Sequence, residues 1–201
     1  FNQGDAATYK VNRPSAVDFA RARQAVVLQM TFPGAPMVYY GDEAGMWSGN
    51  DPHDRMPMWW KDLEPFDDPE YQFNQDHFDF YQRVIAIRRQ LPALQRGDFR
   101  SVLIDDARDV YAFARSDHAQ TAYVVLNRSA AEIEVELPVP RGSFGNWLDP
   151  AEVEVIDRPE DRPALGIKPT APLHWVEHGK VKLTLPAYGS AILSEREQAT
   201  P

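Results

Sequence analysis

Gly34-Ala35-Pro36-Met37-Val38-Tyr39-Tyr40-Gly41-Asp42-Glu43 is where the fold reading begins. Met37, Val38, Tyr39 and Tyr40 form an unbroken apolar run, fenced by Pro33, Gly34 and Pro36 before it and Gly41 after it. A short run between turn residues suits a strand buried on both faces, as in a parallel sheet. Upstream, Pro14-Ser15-Ala16-Val17-Asp18 carries a helix start: Ser15 can cap, and Asp18, three residues on, can complete a capping box. That helix is predicted to reach about Thr31, with Phe19, Val26, Val27 and Met30 near one stripe and Arg21 and Arg23 elsewhere on the wheel. Helix, tight turn and buried strand make half of an alternating α/β unit.

Beyond the run, residues 41–74 are rich in Gly, Pro, Asp and Trp and show no periodicity. Loops longer than about 12 to 15 residues are usually functional or disordered. Trp47, Trp59, Trp60 and Phe66 argue for order, so this is read as a functional loop. A second helix is predicted from about Asp76 to Gln90, with Phe80, Val84, Ile87 and Leu91 on one stripe, Arg83, Arg88 and Arg89 bordering it, and Pro92 as its stop.

From Gly97 the texture changes to short alternating segments at residues 99–104, 110–115, 122–126, 133–137, 153–156, 173–176, 181–185 and 191–193. Turn residues such as Asp105-Asp106, Asn127-Arg128-Ser129 and Tyr188-Gly189 separate them. The series predicts an antiparallel sandwich. Residues 159–172, with four prolines, read as a long surface excursion between strands. The expected organisation is α/β followed by all-β, with residues 1–95 and 96–196 as its two parts and 197–201 as a tail.

The 201 residues are 43% hydrophobic and 25% charged, which describes a globular chain of one large or two small domains. Thirty acidic against 21 basic residues give a net charge of -9, so neither half offers a basic nucleic-acid surface and no nucleic-acid partner is expected. No apolar run approaches the roughly 20 residues of a spanning helix, and no membrane partner is expected. Cysteine is absent, which removes disulfides, thiolate chemistry and Cys-ligated zinc and fits a reducing, cytoplasmic setting. The length leaves open whether the chain includes everything its activity requires.

Asp42 and Glu43 sit directly after the expected strand, and ligands of α/β folds gather at the carboxyl ends of parallel strands. Adjacent residues of an extended chain point oppositely, so at most one faces a substrate. The other reading has both carboxylates binding loop N–H groups or an arginine. Asp51 and Arg55 lie four residues apart, and one helical turn would put a carboxylate and a forked donor on one face, suited to vicinal sugar hydroxyls or to a plain salt bridge. Trp47, Trp59 and Trp60 offer flat faces either to sugar rings or to the body of the protein. The histidines 53, 77, 118, 174 and 178 do not cluster at metal-ligand spacing, so neither a metal nor another cofactor is expected. No phosphate-binding glycine loop and no G-x-S-x-G elbow occurs.

Gly34-Ala35-Pro36-Met37-Val38-Tyr39-Tyr40-Gly41-Asp42-Glu43-Ala44-Gly45-Met46, followed by Asn50-Asp51-Pro52-His53-Asp54-Arg55-Met56-Pro57-Met58-Trp59, resembles glycoside hydrolase family 13, the α-amylase family, in its cyclomaltodextrinase, neopullulanase and maltogenic amylase group. The resemblance implies that residues 37–40 are the eighth strand of a (β/α)8 TIM barrel, that the flanking helices are its last two, and that the antiparallel C-terminal domain begins near Gly97. In that family a nucleophilic Asp, an acid/base Glu and a third Asp follow the fourth, fifth and seventh strands. No Asn-His-Asp or Ser-His-Asp triplet is present here, so the resemblance implies a C-terminal fragment with no catalytic residue of its own. It assigns Asp51 and Arg55 to holding a glucose unit, and Asp42 and Glu43 to supporting the site. Trp47 stands where family members vary and is a weaker substrate-binding candidate.

The expected function is retaining hydrolysis of α-1,4 or α-1,6 glucosidic bonds in maltodextrins, cyclodextrins or pullulan by the parent protein, the fragment alone being inactive. The expected partners are an α-glucan oligosaccharide, the missing N-terminal barrel segment, and further copies of the chain through its uncovered apolar faces. The alternatives are a transglycosylase or isomerase of the same family, of the trehalose synthase or amylosucrase type, a non-catalytic carbohydrate-binding module, and a purely structural chain.

Overall fold

The structure, a computed structural model, describes residues 12–49, 53–140, 143–148, 153–156, 164–167, 170–175 and 179–195. The first helix, α1 (Ala16–Thr31), opens with the capping box: the Asp18 N–H donates to Ser15 Oγ at 3.3 Å, and the Ser15 N–H donates to Asp18 Oδ2 at 2.9 Å. Asn74 opens the second helix, α2 (Gln75–Gln90), its Oδ1 accepting from the His77 N–H at 3.0 Å. Pro92, expected as a stop, instead opens a short third helix, α3 (Pro92–Arg96). Proline at the first helical position gives up only a donor that would be unpaired there, and its fixed φ already suits a helix.

The strands are β1 (Asp98–Asp105), β2 (Val110–Ser116), β3 (Thr121–Asn127), β4 (Ile133–Pro138), β5 (Ser143–Asn146), β6 (Val153–Ile156), β7 (Ala164–Ile167), β8 (Thr170–Trp175), β9 (Lys180–Leu185) and β10 (Ser190–Glu195). Six form one sheet in the order β1-β2-β3-β10-β5-β8; β4 pairs with β9, and β6 with β7, and every pairing is antiparallel. The antiparallel part of the expected fold is therefore present. Two strands differ from the sequence reading. β5 is short and holds Gly145, and β7 falls inside the stretch read as a surface excursion, pairing with β6 from a position between Pro163 and Pro169. Prolines beside a strand do not interrupt its ladder.

Both faces of the six-stranded sheet are covered. On one face Val110, Ala112, Ala114, Val125, Ala191 and Leu193 meet Val135 and Leu137 of β4 and Val181, Leu183 and Leu185 of β9. On the other, Phe113, Val124, Leu126 and Ile192 meet Val26, Val27 and Met30 of α1, Val84 and Ile87 of α2, and Leu94 of α3. The helical and strand segments thus share one core across residue 95. Two covered faces explain why β2 and β3 are buried along nearly their whole length, whereas β9 alternates strictly between exposed and buried.

Residues 37–40 do not form a strand. Met37 is 73% exposed and Tyr39 and Tyr40 are each 45% exposed, while Val38 packs against the helical core. A strand exists only where a neighbouring backbone accepts and donates along its edge. Among the described residues no strand lies beside this run.

Polar ties fix the helices to the sheet. Arg115 is 1% exposed, and its guanidinium donates to the carbonyls of Thr31 at 2.6 Å, Leu94 at 2.9 Å and Gly97 at 2.9 Å. Arg88 donates to the carbonyls of Met30 at 2.6 Å, Leu94 at 2.8 Å and Gly34 at 2.7 Å. Together they hold the end of α1 and the turn leading to residue 37. Helix C-terminal carbonyls carry partial negative charge, which suits a cation there.

Candidate functional site

The segment after residue 40 is a tight turn. The Asp42 N–H donates to the Tyr39 carbonyl at 3.1 Å, and the N–H groups of Ala44 and Met46 both donate to the Gly41 carbonyl. Gly41 has φ +94, and a Cβ there would lie 2.6 Å from Met46 Sδ. Gly45 has φ +70, and a Cβ there would lie 2.8 Å from Asn74 Cβ. Both positions need glycine, for the left-handed backbone and for the space. The Asn74 N–H donates to the Ala44 carbonyl at 2.9 Å, so the turn is moored to the start of α2.

This turn separates the two adjacent carboxylates. Glu43 folds back, and its Oε2 accepts from the Gly41 N–H at 3.0 Å. Asp42 instead borders two clefts. One, of about 150 Å³, is lined by Tyr39, Tyr40, Asp42, Trp47, Asp54 and Met56. The other, of about 540 Å³, lies between α1 and α2 and is lined by Phe19, Ala22, Gln29, Asp42, His77 and Tyr81 among others. Asp42 is exposed, yet desolvation by the protein around it, then the neighbouring Glu43, raises its pKa.

Arg55 ends a single 3₁₀ turn, His53–Arg55, and is exposed. The loop folds back over residues 39–40: the Tyr40 hydroxyl donates to the Met56 carbonyl at 3.0 Å. Desolvation, then Tyr40 and Asp54, pushes the Tyr39 phenol up, with Arg55 opposing. Asp51 lies outside the described residues.

The tryptophans divide. Trp59 is 3% exposed and stacks on Tyr71 at 4.7 Å, so it anchors the loop. Trp47 is half-buried, meeting Trp59 edge-to-face at 6.1 Å and Tyr71 at 5.7 Å, while lining the smaller cleft. Trp60 is 57% exposed.

Two residues at the larger cleft carried no functional weight in the sequence. His77 is 3% exposed, lies edge-on to Phe19 and Tyr81, and has no hydrogen-bond partner at Nδ1. Burial, then Arg23, pushes its pKa down to about 4. Burial, then Asp42 and Glu43, pushes the Tyr81 phenol up to about 12. Their only signal was position, since 77, 81 and 84 continue the apolar stripe of α2. Among the described residues no three His, Asp or Glu side chains converge as a metal site would need, and no helix is long and apolar enough to cross a membrane.

The family profile described as Maltogenic Amylase, C-terminal domain, matches residues 99–159. The chain is 37% identical to Neopullulanase 2 of Thermoactinomyces vulgaris over 150 residues, 75% of this chain and 24% of the relative. It is also 37% identical to a Cyclomaltodextrinase of Geobacillus thermopakistaniensis over 131 residues, 65% of this chain and 21% of that one. A solved cyclomaltodextrinase superposes with TM-score 0.67 at 28% identity, covering 89% of this chain and 26% of that chain. The chain is thus similar to α-amylase-family glycoside hydrolases, and its residues 99–159 to their maltogenic-amylase C-terminal domain. An acarbose-bound α-amylase of Geobacillus thermoleovorans shares the fold at 20% identity, with TM-score 0.66 over 90% of this chain and 34% of that one. The mostly-sheet antiparallel part matches the C-terminal domain of the family. The chain spans about a quarter of the length of the curated relatives it matches.

Proposed function

We propose that this chain completes an α-glucan-acting glycoside hydrolase, contributing the last helices and eighth strand of a (β/α)8 barrel, a substrate-holding loop and the C-terminal sandwich. The observation that carries the reading is the turn at residues 41–46. It separates Asp42 from Glu43 and sets Asp42 at the cleft lined by Asp54 and Met56 of the Arg55 loop, in a chain similar to a neopullulanase and a cyclomaltodextrinase. In this reading Asp51 and Arg55 hold a glucose unit through its vicinal hydroxyls, with Trp47 as a further candidate contact. Asp42 and Glu43 keep the turn in place and do not cleave bonds.

The cleaving carboxylates come from the remainder of the polypeptide. One Asp attacks the anomeric carbon while a Glu protonates the leaving oxygen, and water then releases the sugar from the covalent intermediate. The same remainder covers residues 37–40 and the 540 Å³ cleft between α1 and α2, where an extended backbone passing the small side chains of Ala22 and Ala25 would find room. The full-length polypeptide should release glucose or maltose from maltodextrin or cyclodextrin with retained anomeric configuration, followed by proton NMR of the fresh product. This chain alone should release none. An inverted product, or turnover by the isolated chain that a glycosidase inhibitor abolishes, would overturn the reading.

A further inference from the structure

The proposed function leaves residues 61–73 without a role, yet they form an ordered wall. Trp59 stacks on Tyr71, Phe66 lies 6.4 Å from Trp59, and the Phe73 N–H donates to Glu64 Oε1 at 2.7 Å. Two clefts border this wall, one of about 280 Å³ and one of about 530 Å³, and Gln72 and Phe73 line both. Trp47 lines the first of these and also the smaller cleft at Asp42. The cleft of about 530 Å³ is walled by Glu64, Phe66, Pro69 and Tyr71.

We infer that these clefts form one groove that carries an α-glucan chain outward from the Arg55 loop, so that Phe66, Tyr71 and Gln72 set the preference for substrate length. The inference rests on the proposed function and deepens it. The groove alternates aromatic faces with amides and carboxylates. That arrangement suits a ring with an apolar face and a rim of hydroxyls. Its charged lining is acidic, with Asp42, Asp54, Glu64, Glu70 and Asp76 against Arg13, so a neutral oligosaccharide is favoured over a phosphorylated or nucleic-acid ligand. Gln72 is held ready: its Nε2 donates to the Pro69 carbonyl at 3.2 Å and its Oε1 accepts from Arg13 at 3.2 Å. A groove preformed by packed aromatics loses little freedom when a ligand enters.

The test uses the full-length polypeptide and its Phe66→Ala, Gln72→Ala and Phe66→Ala/Gln72→Ala variants, with maltotriose and maltoheptaose as probes. Wild-type turnover of maltotriose reports on the activity itself. The groove predicts that the double variant loses about tenfold more kcat/KM on maltoheptaose than on maltotriose, the Gln72→Ala variant showing part of that loss if Phe66→Ala impairs folding. Equal losses on both sugars, or an unchanged ratio, would overturn it. A second readout precedes turnover: on stopped-flow mixing with the full-length polypeptide, maltoheptaose should quench tryptophan fluorescence in the wild type before product forms, with saturation shifted about tenfold upward in the Gln72→Ala variant. No quenching, or an unshifted saturation curve, would count against the groove.

Discussion

Residues 37–40 and strand β3 are both unbroken apolar runs bounded by turn residues, and they end differently. Val124 and Val125 of β3 are fully buried between β2 and β10, with apolar layers above and below. Met37, Tyr39 and Tyr40 face solvent, and only Val38 finds the core. Composition says what a run would gain by burial. Pairing depends on whether a second backbone stands about 4.8 Å away, and that is a property of the rest of the chain.

The comparison can be broken first by truncation in each region. Phe113→Ala should cost about 3 to 5 kcal/mol, since the ring is fully buried among Phe32, Phe99 and Tyr111. Met37→Ala should change stability by less than about 0.5 kcal/mol. Urea unfolding of this chain followed by circular dichroism measures both, and similar losses at the two positions would mean that residues 37–40 are buried in solution. Next comes the polar frame that launches the run. Arg115→Met leaves the Thr31 and Gly97 carbonyls short of donors inside the fold and should cost about 3 kcal/mol, while Arg115→Lys should recover only part of it. Full recovery by lysine would argue that charge alone, without the forked geometry, holds the end of α1.

The third effect is on pH. His77 is neutral in the folded chain, with its pKa held down near 4 against an ordinary value of 6.5. The unfolded chain therefore binds a proton first, and the stability His77 contributes is fully present above about pH 6.5 and drains away as pH falls toward 4. The loss should amount to about 2 to 3 kcal/mol by pH 4. Comparing His77→Phe with the wild type by urea titration at pH 7 and pH 4.5 isolates it, and equal pH slopes for the two proteins would contradict the assignment.

What the sequence revealed follows the same division. Local chemistry was legible: the Ser15–Asp18 capping box, the 3.6-residue stripe of α1 and α2, and the two-residue alternation of β4 and β9 all depend on neighbours within the same segment. Features set by distant partners were not. Arg88 read only as a border of the α2 stripe and Arg115 only as the end of a strand segment, because the carbonyls they bind belong to other segments. His77 was weighed only as a metal ligand and Tyr81 not at all, since the cleft they line exists only once α1 lies beside α2. At the candidate site the adjacency of Asp42 and Glu43 was read as preventing a joint role, on the premise of an extended chain; the Gly41 turn is what folds Glu43 back onto the Gly41 N–H. Trp59 and Trp60 are neighbours of identical chemistry, and ring contacts with Trp47, Phe66 and Tyr71 made the first an anchor.

The central proposal is that residues 37–40, which form no strand here, pair as one once the rest of a barrel stands beside them. Hydrogen exchange of the Val38, Tyr39 and Tyr40 amides, measured in this chain alone and in the full-length polypeptide, tests it most directly. Completion of the sheet predicts exchange slowed at least about hundredfold in the full-length protein, roughly 3 kcal/mol of added protection. The same fast exchange in both would contradict it.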